Sequence, residues 1–168
     1  MLVKDTQLVG VKLIESITVF EDFRGRYKET FNKAEYKKII DIEFVQDDIS
    51  VSRRNVLRGI HGDKGTWKLI SCLKGAFYLV VVNNDEKSAQ YKFWESFTLS
   101  DSNNLQVLIP PKFGNGHLVL TDETIFHYKQ STYYGEFKQF TILWNDPEIN
   151  IAWPSLCGNN PILSLRDS

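Results

Sequence analysis

Cysteine is nearly missing from this chain: two in 168 residues, Cys72 and Cys157. Two thiols are too few for a disulfide scaffold, and Cys72 sits in an apolar run, so both read as reduced core thiols. Long apolar runs are missing as well. The longest, Phe77 to Val82, falls far short of the roughly 20 residues that a membrane helix needs. Neither sign of charge is in excess: 20 Lys and Arg stand against 21 Asp and Glu, for a net charge of -1. That balance carries no electrostatic footprint for nucleic acid or an anionic membrane. The start, Met1-Leu-Val-Lys-Asp5, brings an acid early and no sustained apolar stretch, so the expectation is no signal peptide and a cytoplasmic protein. No repeat, low-complexity tract or linker divides the chain, which predicts one domain over residues 1–168.

Aromatic residues are abundant, at 13%, with 11 Phe, 7 Tyr and 4 Trp. Such side chains suit pleated, half-buried surfaces, and the composition leans to β structure. Only one stretch predicts a helix. Asn32 can cap it, Glu35 can complete a capping box, and the helix ends by Ile40 or Asp41. Elsewhere short strands alternate with turn signals. Strands are expected over 66–72, 76–82, 91–99, 105–109, 118–120, 124–129 and 137–143. Lys74-Gly75, Asn83-Asn84-Asp85, Asp101-Ser-Asn-Asn104, Pro110-Pro111 and Gly114-Asn115-Gly116 supply the turns. The pattern fits an antiparallel sandwich, a jelly roll or a barrel.

Three histidines are the candidates for proton transfer near neutral pH: His61, His117 and His127. His61 has the most suggestive setting. Arg58 and Gly59 precede it where a strand meets a turn, and Lys68 follows on the next strand. Arg, His and Lys converging in one β-barrel mouth suit an anionic substrate that also loses a proton; the plain alternative is a surface histidine beside an ordinary Arg-Gly turn. Tyr133-Tyr134 can supply a general acid, and Asp146 can orient a histidine; both also fit ordinary core-edge and turn roles. Metal binding is not expected. His61-Gly62-Asp63 lacks a His-x-His pair, Asn115 stands where a metal histidine would be sought, and no zinc spacing is present.

In order along the chain come Phe20-Glu-Asp-Phe-Arg24-Gly25, with Glu29, then Phe44-Val-Gln46-Asp-Asp48-Ile-Ser50, Asn55-Val-Leu-Arg58-Gly59-Ile-His61 and Lys68-Leu-Ile. Ile109-Pro, Tyr128-Lys, Tyr133-Tyr134, Trp144-Asn-Asp146-Pro, Ile151-Ala-Trp153-Pro and the tail Pro161-Ile-Leu-Ser164-Leu-Arg-Asp167 follow. This ordered set, spread over nearly the whole chain, resembles the dTDP-4-dehydrorhamnose 3,5-epimerase family. The resemblance implies an all-β, cupin-type jelly roll (a double-stranded β-helix) with one short helix. It implies an epimerase that inverts carbon 3, carbon 5 or both in a nucleotide-linked 4-keto-6-deoxy hexose or heptose, within surface-polysaccharide sugar biosynthesis. By that resemblance His61 is the base, Asp146 its orienting partner, Lys68 the active-site lysine and Tyr134 the acid on the opposite face. Phe20, Arg24, Glu29, Gln46, Asp48, Arg58, Asn115, His117 and Trp144 are the substrate-binding candidates. The family also implies a homodimer in which the early Arg-Gly segment serves the neighbour's site, and a reaction with no cofactor and no metal.

Two departures stand out. The family's Ala-His-Gly-Phe is Gly114-Asn115-Gly116-His117 here, and its usual Asn is Asp48. A carboxylate at 48 matches the paired donors of guanine better than thymine, so GDP joins dTDP as a candidate nucleotide. Asn115 is neutral and shorter than histidine and relays no proton at neutral pH, which points to inversion at carbon 3 alone. The competing functions are a nucleotide-sugar 3,4-ketoisomerase, which leaves the Trp-Asn-Asp-Pro and Tyr-Tyr matches without a reason, and a non-catalytic sugar-binding cupin, which has no need of the whole base-acid set.

Overall fold

The alternating and continuous apolar runs of the sequence are realised as two antiparallel sheets in a computed structural model, which describes residues 1–15, 18–155 and 160–168. The elements run β1 (Leu2–Asp5), β2 (Lys12–Glu15), β3 (Val19–Asp22), β4 (Gly25–Lys28), α1 (Lys33–Tyr36), β5 (Gln46–Arg53), β6 (Leu57–Gly62) and β7 (Lys68–Lys74). Then come β8 (Ala76–Asn83), β9 (Trp94–Ser100), β10 (Leu105–Ile109), β11 (Phe113–Val119), β12 (Glu123–Gln130) and β13 (Phe140–Thr141). One sheet has the order β1-β2-β10-β7-β12-β5, and the other β13-β6-β11-β8-β9; β3 and β4 form a separate hairpin. The fold is nearly all-β with one short helix, the cupin-type jelly roll expected from the sequence. No helix among the described residues is long and apolar enough to cross a membrane.

Alternation along β8 explains how one apolar run serves two layers. Phe77, Leu79 and Val81 point between the sheets, where they meet Ile70, Val107, Ile109 and Phe126 of the facing sheet. Val80 and Val82 point outward and are covered by Ile142, Ile149, Ile151 and Trp153 of the late loops. The outer face of the larger sheet, at Ile14, Leu69 and Leu108, is roofed by Phe31, Tyr36, Ile39, Ile40 and Phe44. Each large side chain fully buried this way contributes about 1.5–3 kcal/mol. Glu95, the acid that interrupts the apolar face of β9, accepts from the backbone N–H groups of Gln7 and Leu8 at 2.9 and 3.3 Å. The first loop is tied to β9 in this way.

Several expectations are corrected. Asn32 caps the helix, its side chain accepting from Ala34 N at 3.1 Å, but Glu35 turns to Lys38 instead of closing a capping box. The α-helix is only Lys33–Tyr36, and turns carry the chain on from there. Gly114-Asn115-Gly116 is no turn; it lies within β11. Its glycines are there because neighbours crowd it: a Cβ on Gly114 would stand 2.8 Å from Ile60 Cγ2, and one on Gly116 2.9 Å from Arg58 O. The expected strand over 137–143 shrinks to two residues paired with β6. Cys72 is buried and its thiol is pushed up to about 12, chiefly by burial; Cys157 lies outside the described residues.

Candidate active site

One open end of the sandwich holds a cavity of about 340 Å³, lined from both sheets and from the chain's end. β6 supplies Arg58 and His61, β7 supplies Lys68, and β11 supplies Asn115 and His117. Phe126, Tyr128 and Gln130 come from β12, Ser50 from β5, and Tyr134 and Gln139 from the loop beyond β12. Ser164, Arg166 and Asp167 complete the lining from the tail. Arg58 and His61 are three apart, a spacing that regular pleating sends to opposite faces. The irregularity that brings both inward is local. Gly59 has φ 104°, and the β11–β6 register shifts between Asn115 and His117. A Cβ on Gly59 would fall 2.6 Å from Asn115 O, so only glycine fits.

His61 Nε2 stands 2.7 Å from Asp167 Oδ1. Asp167 is almost fully buried, and its other oxygen accepts from Ser164 Oγ at 2.9 Å and lies 3.4 Å from Gly59 N. The carboxylate is thus held in place before it meets the ring. The nearby carboxylate charge favours a proton on Nε2 and leaves Nδ1 as the basic nitrogen of the neutral ring; Thr141 Oγ1 is 3.2 Å from it. Burial pulls the His61 imidazole below its ordinary value. Asp167 opposes that pull, while Arg166 and Lys68 add to it. The ring is therefore neutral at neutral pH.

Lys68 is buried, and burial brings its ammonium down to about 8. Its Nζ donates to Asn115 Oδ1 at 2.9 Å and to His61 O at 3.4 Å. Tyr134 is mostly exposed at the mouth, with its backbone N–H donating to Gln46 Oε1 at 2.9 Å. Tyr128 lies deeper, and its phenol is pushed up to about 12 by burial and by Asp48. His117 is 3% exposed and stacks on Phe126 at 4.1 Å. Burial, helped by the Arg58 charge, drives it down to about 3. It is a neutral wall and no proton relay.

The cavity thus gathers His61, Lys68, Tyr134, Arg58, Asn115 and His117 from the residues expected from the sequence. Asp146 is a correction. Its Oδ1 accepts from Glu148 N at 2.8 Å, capping the turn of Trp144-Asn-Asp146-Pro, and the place beside His61 belongs to Asp167. Trp144 lies off the lining, its carbonyl accepting from Trp153 Nε1 at 2.7 Å. Gln46 and Asp48 form a second layer behind the lining, with Asp48 Oδ2 accepting from Gln46 and Gln130, each at 2.8 Å. Phe20 and Arg24 sit on the β3–β4 hairpin around a separate surface hollow, where Arg24 pairs with Asp22 at 2.6 Å. Glu29 follows that hairpin and accepts from Asn32 Nδ2 at 3.3 Å. Asp167, Arg166 and Gln139 carried no role in the sequence reading. The resemblance of the tail to the family's end was the one signal that pointed to Asp167.

Comparisons with known proteins match the chain over nearly its whole length. The dTDP-4-dehydrorhamnose 3,5-epimerase family matches residues 5–168. The enzyme of that name from Escherichia coli K12 is 38% identical over 167 residues, covering 96% of this chain and 89% of its own. Among solved structures, a dTDP-6-deoxy-D-glucose-3,5-epimerase from Legionella pneumophila, in complex with dTDP-4-keto-L-rhamnose, superimposes with a TM-score of 0.91. It is 34% identical and covers 98% of this chain and 88% of its own. A 3'-monoepimerase from Streptomyces bikiniensis in complex with dTDP-quinovose has a TM-score of 0.86 at 30% identity, covering 94% and 81%. A carboxylate-held imidazole and a buried lysine facing one cavity, on a chain matched from end to end, place this protein in the dTDP-4-dehydrorhamnose 3,5-epimerase family, and it is an isomerase.

Proposed function

We propose that the chain epimerises a dTDP-linked 4-keto-6-deoxy sugar by proton transfer beside the ketone. The observation that carries this reading is the Asp167–His61 pair opening onto the cavity that Lys68 and Tyr134 also line. His61 Nδ1 takes the proton from the carbon next to the ketone, and the C–H electron pair moves into an enolate whose charge rests on the ketone oxygen. Lys68 stabilises that oxygen as charge develops, an effect worth roughly 3–4 kcal/mol per donor in a dry site. Tyr134 returns a proton from the other side, so the carbon is inverted. Tyr134 then regains its proton, and His61 loses its own, by exchange with water. Arg58 and Arg166, both exposed at the rim, suit the pyrophosphate oxygens as charge-assisted donors. The ketone and its neighbouring C–H supply the reactivity, and the step consumes no oxidant or reductant.

Asp48 no longer argues for guanine. One of its oxygens already serves two amides of its own chain, and the ligands of the solved relatives are dTDP sugars. A homodimer accounts for the hairpin. Phe23 is 98% exposed at its tip, with Phe20 and Tyr27 beside it, and among the described residues this apolar surface has no cover in its own chain. A second subunit would both bury it and bring Arg24 to a neighbouring site.

Native enzyme is to be incubated in deuterated water with dTDP- and GDP-linked 4-keto-6-deoxy sugars and followed by NMR. The expected outcome is exchange and inversion with the dTDP sugar, and one carbon-bound deuterium, at carbon 3. Exchange with neither nucleotide sugar rejects the reaction. A preference for GDP rejects the nucleotide assignment, and full labelling at both carbons rejects the restriction to carbon 3.

A further inference from the structure

β13 is only two residues long, and it lies against the strand that carries His61. Phe140 pairs with Gly62, and Thr141 with His61. The next pair, Ile60 and Ile142, exchanges both backbone bonds, at 2.9 and 3.3 Å. In an antiparallel ladder that makes His61 and Thr141 a pair without mutual backbone bonds, the kind whose side chains approach most closely. Thr141 Oγ1 lies 3.2 Å from His61 Nδ1, the ring nitrogen on the side away from Asp167. Arg166 Nη2 donates to the same hydroxyl oxygen at 3.3 Å.

A hydroxyl has one proton to give and two lone pairs to offer. Arg166 has only donors, so it takes a lone pair of the oxygen and leaves the O–H to turn towards Nδ1. A guanidinium on that oxygen also makes it a poor acceptor for a second cation. The hydroxyl consequently favours the neutral imidazole over the imidazolium. The charged groups facing the ring are Asp167 and Arg166 from the tail and Lys68 from β7; only Asp167 favours a charged ring, and Thr141 adds to the opposing set without bringing a charge of its own.

We propose that Thr141 is a positioning residue for the base: with Arg166 on its oxygen, its hydroxyl donates to Nδ1 and holds His61 as a neutral, correctly turned imidazole until substrate displaces it. The proposal rests on His61 being the base, but its first measurement does not. Asp167 fixes one end of the ring and the Thr141 hydroxyl fixes the other. A single long bond to a hydroxyl is weak enough for the substrate's C–H to replace.

The test compares Thr141→Val, which keeps the branched shape suited to a strand, with Thr141→Ser, which keeps the hydroxyl. The His61 ring is titrated by NMR in the free protein, its signals assigned by their loss in His61→Asn. In the valine variant its proton affinity is expected to rise about 3- to 10-fold, so that the midpoint moves up by about half to one pH unit. The acid limb of kcat/KM should move by the same amount, with KM unchanged, while the serine variant stays at the native midpoint. A midpoint that is unmoved or lowered in the valine variant overturns the proposal, as does a serine variant that shifts equally. A shifted ring midpoint in a protein inactive on every 4-keto sugar upholds the role of Thr141 and rejects the epimerase reading instead.

Discussion

At the scale of the residue, the pairing of His61 with Asp167 makes a claim that the chain's other candidate acid can test. Asp167→Asn keeps the size and Ser164 as a neighbour but gives the ring an amide, which no longer selects the Nε2–H tautomer. General acid–base catalysis is worth about 100- to 10,000-fold, and Asp167→Asn should lose about 100-fold or more of kcat at unchanged fold. Asp146→Asn, by contrast, still caps its turn, and kcat should stay within a few-fold of native. Steady-state kinetics of the two variants decide it, and the opposite ranking would return the partner role to Asp146. His61 and Lys68 were legible in the sequence because Arg58-Gly59 precedes the histidine and the lysine follows on the next strand. Asp167 was not legible as a partner, because what brings it to His61 is a tail that crosses back over the barrel. Ile162 bridges in parallel to Val56, 106 residues apart in the numbering of the chain, bonding to Asn55 and Leu57. No periodicity announces such a contact. Asp146, inside an Asn-Asp-Pro turn, looked at least as plausible until the turn was seen to use it.

At the scale of the element, the strands were legible where side-chain alternation or an unbroken apolar run defined them, as in β8 and β10. They were misjudged where glycine decided the matter. Gly114 and Gly116 read as a turn because glycine commonly buys left-handed backbone; here the two are selected for the absence of a Cβ, under Ile60 and Arg58. The same crowding places Asn115, between them, next to Lys68. The β3–β4 hairpin raises a different question, since its register is regular from Val19–Lys28 to Asp22–Gly25 while its aromatic rings are exposed. If those rings are buried by a second subunit, each contributes about 1.5–3 kcal/mol to association. A symmetric dimer buries both rings of each subunit, about 6–12 kcal/mol in all, so replacing Phe20 and Phe23 by Ser should weaken it by at least about 10,000-fold. Sedimentation across a dilution series reads this directly. A native protein that sediments as a monomer rejects the dimer, and a double variant that dimerises as tightly as native rejects the hairpin as its interface.

At the scale of the whole molecule, the wall of the cavity links the site to the stability of the barrel through His117. This ring is packed between Phe77, at 5.2 Å, and Phe126. Its Nε2 is buried with no hydrogen-bond partner among the described residues. Folding thus keeps it neutral down to about 3, whereas in the unfolded chain it titrates near its ordinary value of 6.5. Between those two values the unfolded state binds the extra proton, so stability is complete above about 6.5 and is lost as the pH falls towards 3. The full span is worth on the order of 5 kcal/mol, a large part of the roughly 5–15 kcal/mol that holds a domain together. His117→Phe, which restores the ring that the family resemblance leads one to expect there, removes this proton uptake and the unpartnered nitrogen together while keeping an aromatic face on Phe126. The variant should unfold at a distinctly lower pH than the native protein, by at least half a unit, and the two should differ least above pH 7. Circular dichroism along an acid titration, with urea melts at pH 8 and pH 5, measures both parts. Coincident acid transitions would mean that carboxylates elsewhere govern acid unfolding and that His117 gains its proton only after the barrel has opened.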